Sequence, residues 1–149
     1  MKLSNALILI GHGSREKGFA DAMKKVAGTI RKEKKFDFVL CAYNEIVAPS
    51  FAEAVEILVK KGVKRISVLP YFLQAGRHVR CDIPEFVTIE RKKYSGKVKI
   101  ILCPYLGFDK RIVNIVRDRI GTRGDRYGDR HAVQHTCPHT CPLHPPDLR

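Results

Sequence analysis

The feature that most constrains this chain is a fourfold alternation of short, almost wholly apolar runs with longer amphipathic stretches. The runs are ALILI at Ala6–Ile10, FVLCAY at Phe38–Tyr43, RISVLPYF at Arg65–Phe72 and VKIILC at Val98–Cys103. A run that is apolar without polar alternation suits a strand buried on both faces, as in a parallel sheet covered by helices. The stretches between have helical period. Lys17 to Glu33 puts Phe19, Met23, Val26, Ala27 and Ile30 on one face. Pro49-Ser50 opens a second helix, in which Ser50 and Glu53 have capping-box spacing. Ala54, Val55, Leu58 and Val59 form its apolar face, and Gly62 stops it. A third helix is expected from near Asp82, with Pro84 in its first turn and Gly96 behind it. A fourth runs from Asp109 to Ile120, with Ile112, Val113, Ile115 and Val116 inward. The reading is an α/β fold: an open four-stranded parallel sheet of order 2-1-3-4, with helices on both faces.

This domain is expected over residues 1–120, large enough to bury a core without disulfides. From Gly121 to Arg149 the periodicity stops, and Gly, Pro, His and Arg dominate a C-terminal tail read as flexible and outside the fold. No stretch reaches the roughly 18 apolar residues of a membrane span. The first residues run into a strand with no leader pattern, so a cytoplasmic location is expected. Five cysteines, an odd number, argue against a disulfide framework; Cys41 and Cys103 read as small core residues.

Lys and Arg outnumber Asp and Glu by 28 to 15, for a formal net charge of +13. Such an excess favours an anionic partner. There is no RNP-type aromatic motif, no zinc finger of standard spacing and no pure Lys/Arg tract, so nucleic acid is not expected.

In a sheet of this kind every strand-to-helix loop leaves at the carboxyl edge, and ligands bind there, where the winding reverses. Three polar residues interrupt that edge. His12 follows the first run between Gly11 and Gly13, Glu45 follows the second, and His78 follows the third. With first and third strands adjacent, two imidazoles and a carboxylate converge on one cleft. Neutral imidazole suits borderline divalent metals. Three such donors leave coordination positions open, as a catalytic site requires and a closed structural site does not. The flanking glycines are read as letting a bulky ligand approach closely. Ser14 and Arg15 are placed at a helix N-terminus that suits an anion. Gly76, Arg77 and Arg80 frame His78 in the same way.

The motifs LILIGHGSR at residues 7–15, E-x3-P-S at 45–50, LPYFLQAGRHVRCDIPE at 69–85 and PYLGFD at 104–109 resemble those of the short-form sirohydrochlorin chelatases, class II tetrapyrrole chelatases. Within that group they are similar to the sirohydrochlorin cobaltochelatases of cobalamin biosynthesis. The resemblance covers residues 7–120 and implies a chelatase-like half domain. It also implies insertion of a divalent metal into sirohydrochlorin, a tetrapyrrole with eight carboxylates. The metal, Co2+ or else Ni2+ or Fe2+, is then a substrate, with no permanently bound cofactor. His12 and His78 are implied as metal ligands and catalytic residues, with Glu45 as a third catalytic group. Gly11, Ser14, Arg15, Gly76, Arg77 and Arg80 are implied around the substrate. A chain half the size of the long relatives implies a homodimer.

Outside the resemblance, HTCPHTCPLH supplies His135, Cys137, His139, Cys141 and His144 at plausible zinc spacing. This is a candidate accessory metal set; the alternative is an extension that binds metals incidentally. Two readings from other classes remain beside the chelatase. One is an anion-binding flavodoxin-like protein using Gly11–Arg15; the other is a non-catalytic metal carrier built on the tail. A phosphohistidine enzyme would need arginine where Ile10 stands.

Overall fold

A computed structural model describes residues 4–121. The strands are β1 (Asn5–Gly11), β2 (Phe38–Tyr43), β3 (Arg65–Pro70) and β4 (Lys99–Leu102). All pair in parallel, in the order β2-β1-β3-β4. The predicted topology is the observed one.

Alternation along β1 divides the core. Ala6, Ile8 and Ile10 face one way and Leu7 and Leu9 the other, as successive strand residues must. Helix α1 (Asp21–Lys32) covers the second face with Met23 and Ala27. Helices α2 (Phe51–Lys60) and α3 (Ile83–Lys93) cover the first, burying Ala54, Val55, Leu58, Ile83 and Val87. Right-handed crossovers dictate this split, because the chain winds one way from β1 to β2 and the other way from β2 through β3 to β4. The winding reverses between β1 and β3, where Ile10 pairs with Pro70 and both strands end.

Local chemistry sets the ends. The Ser50 hydroxyl accepts from the Glu53 N–H, and the Glu53 carboxylate accepts from the Ser50 N–H at 2.7 Å, completing the predicted capping box. Helix α1 begins four residues later than its periodicity predicts. Gly18 at φ 79° turns the chain, and the Asp21 N–H donates to its carbonyl at 3.0 Å. Ser14 and Arg15 therefore lie well upstream of the helix, and the predicted anion site at a helix N-terminus does not form there.

The described residues divide after Phe108 into two units. The second carries α4 (Lys110–Ile120), whose N-cap Asp109 accepts from the Arg111 N–H at 2.8 Å. None of its residues is buried: of the four expected inward, Ile112 and Val113 are half-buried and Ile115 and Val116 exposed. That unit has no other described element to cover it.

Candidate metal centre

Backbone bonds between the loops build the site. The Asn44 N–H donates to the Gly11 carbonyl at 2.9 Å, and the Glu45 N–H to the His12 carbonyl at 3.0 Å. The Tyr71 N–H donates to the Ile10 carbonyl at 2.8 Å. These bonds extend the sheet ladder past the strand ends and carry all three loops outward together.

Gly13 explains part of the opening motif. Its φ is 97°, and a Cβ there would overlap the Glu45 carbonyl oxygen. At Gly11 a Cβ would press on the Met23 sulfur at 3.1 Å. The glycines thus make room for the protein's own second loop and first helix, rather than only for a ligand as the sequence suggests. Gly11 nonetheless lines a cavity of about 300 Å³ with His12, Ser14, Phe19, Met23 and Tyr71.

The outcome is convergence. His12, Glu45 and His78 each offer a ligand atom, and these lie within 4.8 Å of one another. The His12 and His78 ring centroids are 4.9 Å apart, and His78 Nε2 stands 3.8 Å from Glu45 Oε1. Two nitrogen or oxygen donors on one ion at about 2.1 Å each are at most about 4.2 Å apart. A contraction of up to about 0.6 Å in the longest separation, within reach of side-chain rotation, would bring every pair inside that limit. His12 and Glu45 are exposed and His78 is half-buried, so the donors remain open to a large incoming molecule.

His78 is more firmly held than its sequence context suggests. It opens a π-helical turn, His78–Asp82, that runs directly into α3, so the helical region starts one turn before the predicted position. Its Nδ1 lies 2.7 Å from Asp82 Oδ2 and 2.6 Å from Asn44 Nδ2. Asp82 and Asn44 escaped the sequence reading. The signal for Asp82 was its i,i+4 spacing from His78, which has meaning only if those residues are helical.

The other expected site residues fall on or near the same edge. Arg15, Gly76, Arg77 and Arg80 are exposed, and Ser14 is half-buried with its hydroxyl accepting from the Glu16 N–H at 3.1 Å. Gly76 starts the turn that leads to His78, its carbonyl accepting from the Val79 and Arg80 N–H groups, both at 3.1 Å. Arg77 Nε stands 3.6 Å from Asp82 Oδ1. His135, Cys137, His139, Cys141 and His144 lie outside the described residues. Cys41 and Cys103 are only half-buried; burial pushes the Cys41 thiol above its usual range. Burial likewise raises the phenol of Tyr43, at the wall of the cavity beside His12.

An open parallel α/β sheet with two imidazoles and a carboxylate at its switch point defines a metal-handling protein of the chelatase fold class. The chain belongs to the CbiX family, whose model matches residues 6–123. It is 35% identical over 113 residues to a sirohydrochlorin cobaltochelatase of Sulfolobus acidocaldarius, covering 76% of this chain and 87% of that one. It is 31% identical over 117 residues to the chloroplastic sirohydrochlorin ferrochelatase of Arabidopsis thaliana, covering 78% of this chain and 52% of the relative. Among solved structures it superposes on the sirohydrochlorin chelatase SirB of Bacillus subtilis subspecies spizizenii in complex with cobalt. The TM-score there is 0.72 and the identity 25%, over 78% of this chain and 50% of the other. The chain thus spans about half the length of the second and third of these proteins. Among the described residues no helix is long and apolar enough to cross a membrane.

Proposed function

We propose that this chain inserts a divalent metal ion, Co2+, into sirohydrochlorin as a step of cobalamin biosynthesis. The observation that carries the reading is the convergence of His12, Glu45 and His78 on one point of the sheet edge. The cobaltochelatase name of the Sulfolobus relative supports the substrate and the metal. Fe2+ is the second reading, supported by the ferrochelatase name of the Arabidopsis relative. Ni2+ suits the same imidazole and carboxylate donors.

The metal is a substrate, and no resident cofactor is required. Two imidazoles replace part of its hydration shell and leave its remaining positions free for the pyrrole nitrogens. The macrocycle settles over the edge, its carboxylates met by Arg15, Arg77 and Arg80, whose guanidinium groups pair with carboxylates in bidentate fashion. The Arg77–Asp82 contact is exposed on the arginine side, so freeing Arg77 costs little. Metal entry expels two pyrrole protons; the Glu45 carboxylate, or an imidazole once the metal has moved off it, accepts each in turn and passes it to solvent. Holding ion and ring in register supplies much of the rate gain.

A cavity of about 300 Å³ is at the low end of small-molecule pockets, roughly 300–1,000 Å³, and cannot enclose a tetrapyrrole with eight carboxylates. The chain's half-length relation to its longer relatives points the same way. The working form is therefore a symmetric homodimer, in the cytoplasm on the sequence reading, with the macrocycle bound between two sheet edges.

The test mixes protein, sirohydrochlorin and Co2+ and follows the visible spectrum. His12→Ala and His78→Ala are each expected to slow metalation by about 100-fold or more. Wild-type protein that binds Co2+ without accelerating metalation would support the carrier reading instead.

A further inference from the structure

We infer that Asp82 is a positioning residue for the metal centre: it accepts the Nδ1 proton of His78 and thereby leaves the Nε2 lone pair facing Glu45 and His12. The purpose of this arrangement rests on the metal site proposed above; the proton's position does not.

The two nitrogens of His78 face different neighbours. Nδ1 is 2.7 Å from Asp82 Oδ2, whereas Nε2 is 3.8 Å from Glu45 Oε1, on the side of the converging donors. A neutral imidazole carries one N–H, and an ionised carboxylate only accepts. The short contact therefore assigns the hydrogen to Nδ1 and the lone pair to Nε2. Both partners are largely shielded, with side chains 26% and 22% exposed, so the bond does not simply exchange with water. One helical turn builds it: His78 and Asp82 are i,i+4 in the turn that enters α3, whose Ile83 and Val87 are anchored in the core.

One orphaned atom agrees with this assignment. Asn44 Nδ2 lies 2.6 Å from the same Nδ1, which cannot receive a second donor once it bears a hydrogen. Asn44 Oδ1 meanwhile is buried with no partner. An amide's oxygen and nitrogen are nearly alike in shape, and hydrogen bonding decides between them. Turning the Asn44 amide over makes Oδ1 a second acceptor for the Nδ1 hydrogen. Asn44 and Glu90 both line a cavity of about 230 Å³. Glu90 is 4% exposed, and its Oε2 is the other buried side-chain atom without a partner among the described residues. With the amide so turned, the Nδ1 hydrogen faces two acceptors, Asp82 Oδ2 and Asn44 Oδ1, and the orphaned Oδ1 gains a partner.

A fixed tautomer and ring plane make His78 a ready ligand at Nε2. Loss of such an outer partner typically costs 10–100-fold in metal affinity. The test uses the full chain labelled with 15N-histidine, metal-free, above the imidazole titration range. Two-bond proton–nitrogen correlations locate the ring hydrogens, and His78 is identified by its absence from the spectrum of His78→Ala. The expected result is a hydrogen on Nδ1 in the wild type and a shift toward the Nε2–H form in Asp82→Ala and in the near-isosteric Asp82→Asn. Co2+ affinity should fall by about 10–100-fold in both, with unchanged far-UV circular dichroism. A wild-type hydrogen on Nε2, or Nδ1–H undisturbed in both variants, would overturn the inference. A wild type with the expected tautomer but no affinity for Co2+ would overturn the metal-site reading instead, and with it the purpose assigned to Asp82.

Discussion

The loops that carry His12 and His78 leave neighbouring strands at the same edge, yet they hold their imidazoles differently. His12 sits on a glycine-framed loop, exposed, with its ring centroid 4.9 Å from that of His78. His78 is half-buried at the start of a helical turn, bonded through Nδ1 and packed 6.2 Å, centroid to centroid, from Phe72. The constraint falls on the backbone in the first loop and on the side chain in the second. Under the proposed metal insertion, an ion to be handed on would use a fixed post and a donor that yields, His78 as the first and His12 as the second.

The largest test of this contrast is removal of either ring. His78→Ala should abolish Co2+ binding at the site along with metalation. His12→Ala should keep weak binding through His78 and Glu45 while losing about 100-fold or more in metalation rate. Equal residual Co2+ affinity in the two variants would erase the distinction between post and yielding donor.

Glycine substitutions come next. Gly13→Ala forces a side chain into positive φ against the Glu45 carbonyl and should cost about 1–3 kcal/mol while displacing Glu45. Gly76→Ala has open space and no positive φ, and should change stability by less than about 0.5 kcal/mol. Denaturant melts of the two, side by side, check the claim that only the first loop is constrained through its backbone.

The smallest effect concerns Glu90, the buried carboxyl behind the second loop. Burial raises its pKa above the ordinary carboxyl range. The folded state then holds the proton more tightly than the unfolded chain does. That contribution to stability is full below the ordinary carboxyl range and is lost as pH rises through the raised value. Thermal melts of Glu90→Gln should therefore gain on the wild type with increasing pH. Parallel pH profiles would show that Glu90 stays comfortably ionised.

Much of this is legible in the sequence. Buried parallel strands must be apolar on both faces, so Ala6–Ile10 and the runs after it can be read directly, and crossover handedness puts helices on both faces. The order 2-1-3-4 is an expectation that handedness does not dictate and the structure bears out. His12, Glu45 and His78 stood out because each ends an apolar run with a group that can bind metal. The second layer of the site was hidden for a physical reason. Asp82 becomes a neighbour of His78 only when residues 78–82 are helical, and the expected helix began one turn too late. Asn44 reaches Nδ1 through a contact between elements 34 residues apart, which no local spacing encodes. Gly13 stands out in the sequence, but the atom it makes room for belongs to another loop.

The most direct measurement is a Co2+ titration of the full chain and of the double variant His12→Ala/His78→Ala, read by visible absorption. The wild type is expected to bind an ion with nitrogen-ligated d–d bands, and the double variant to lose that signal. Undiminished nitrogen-ligated binding in the double variant would contradict the assignment of the metal to these two rings.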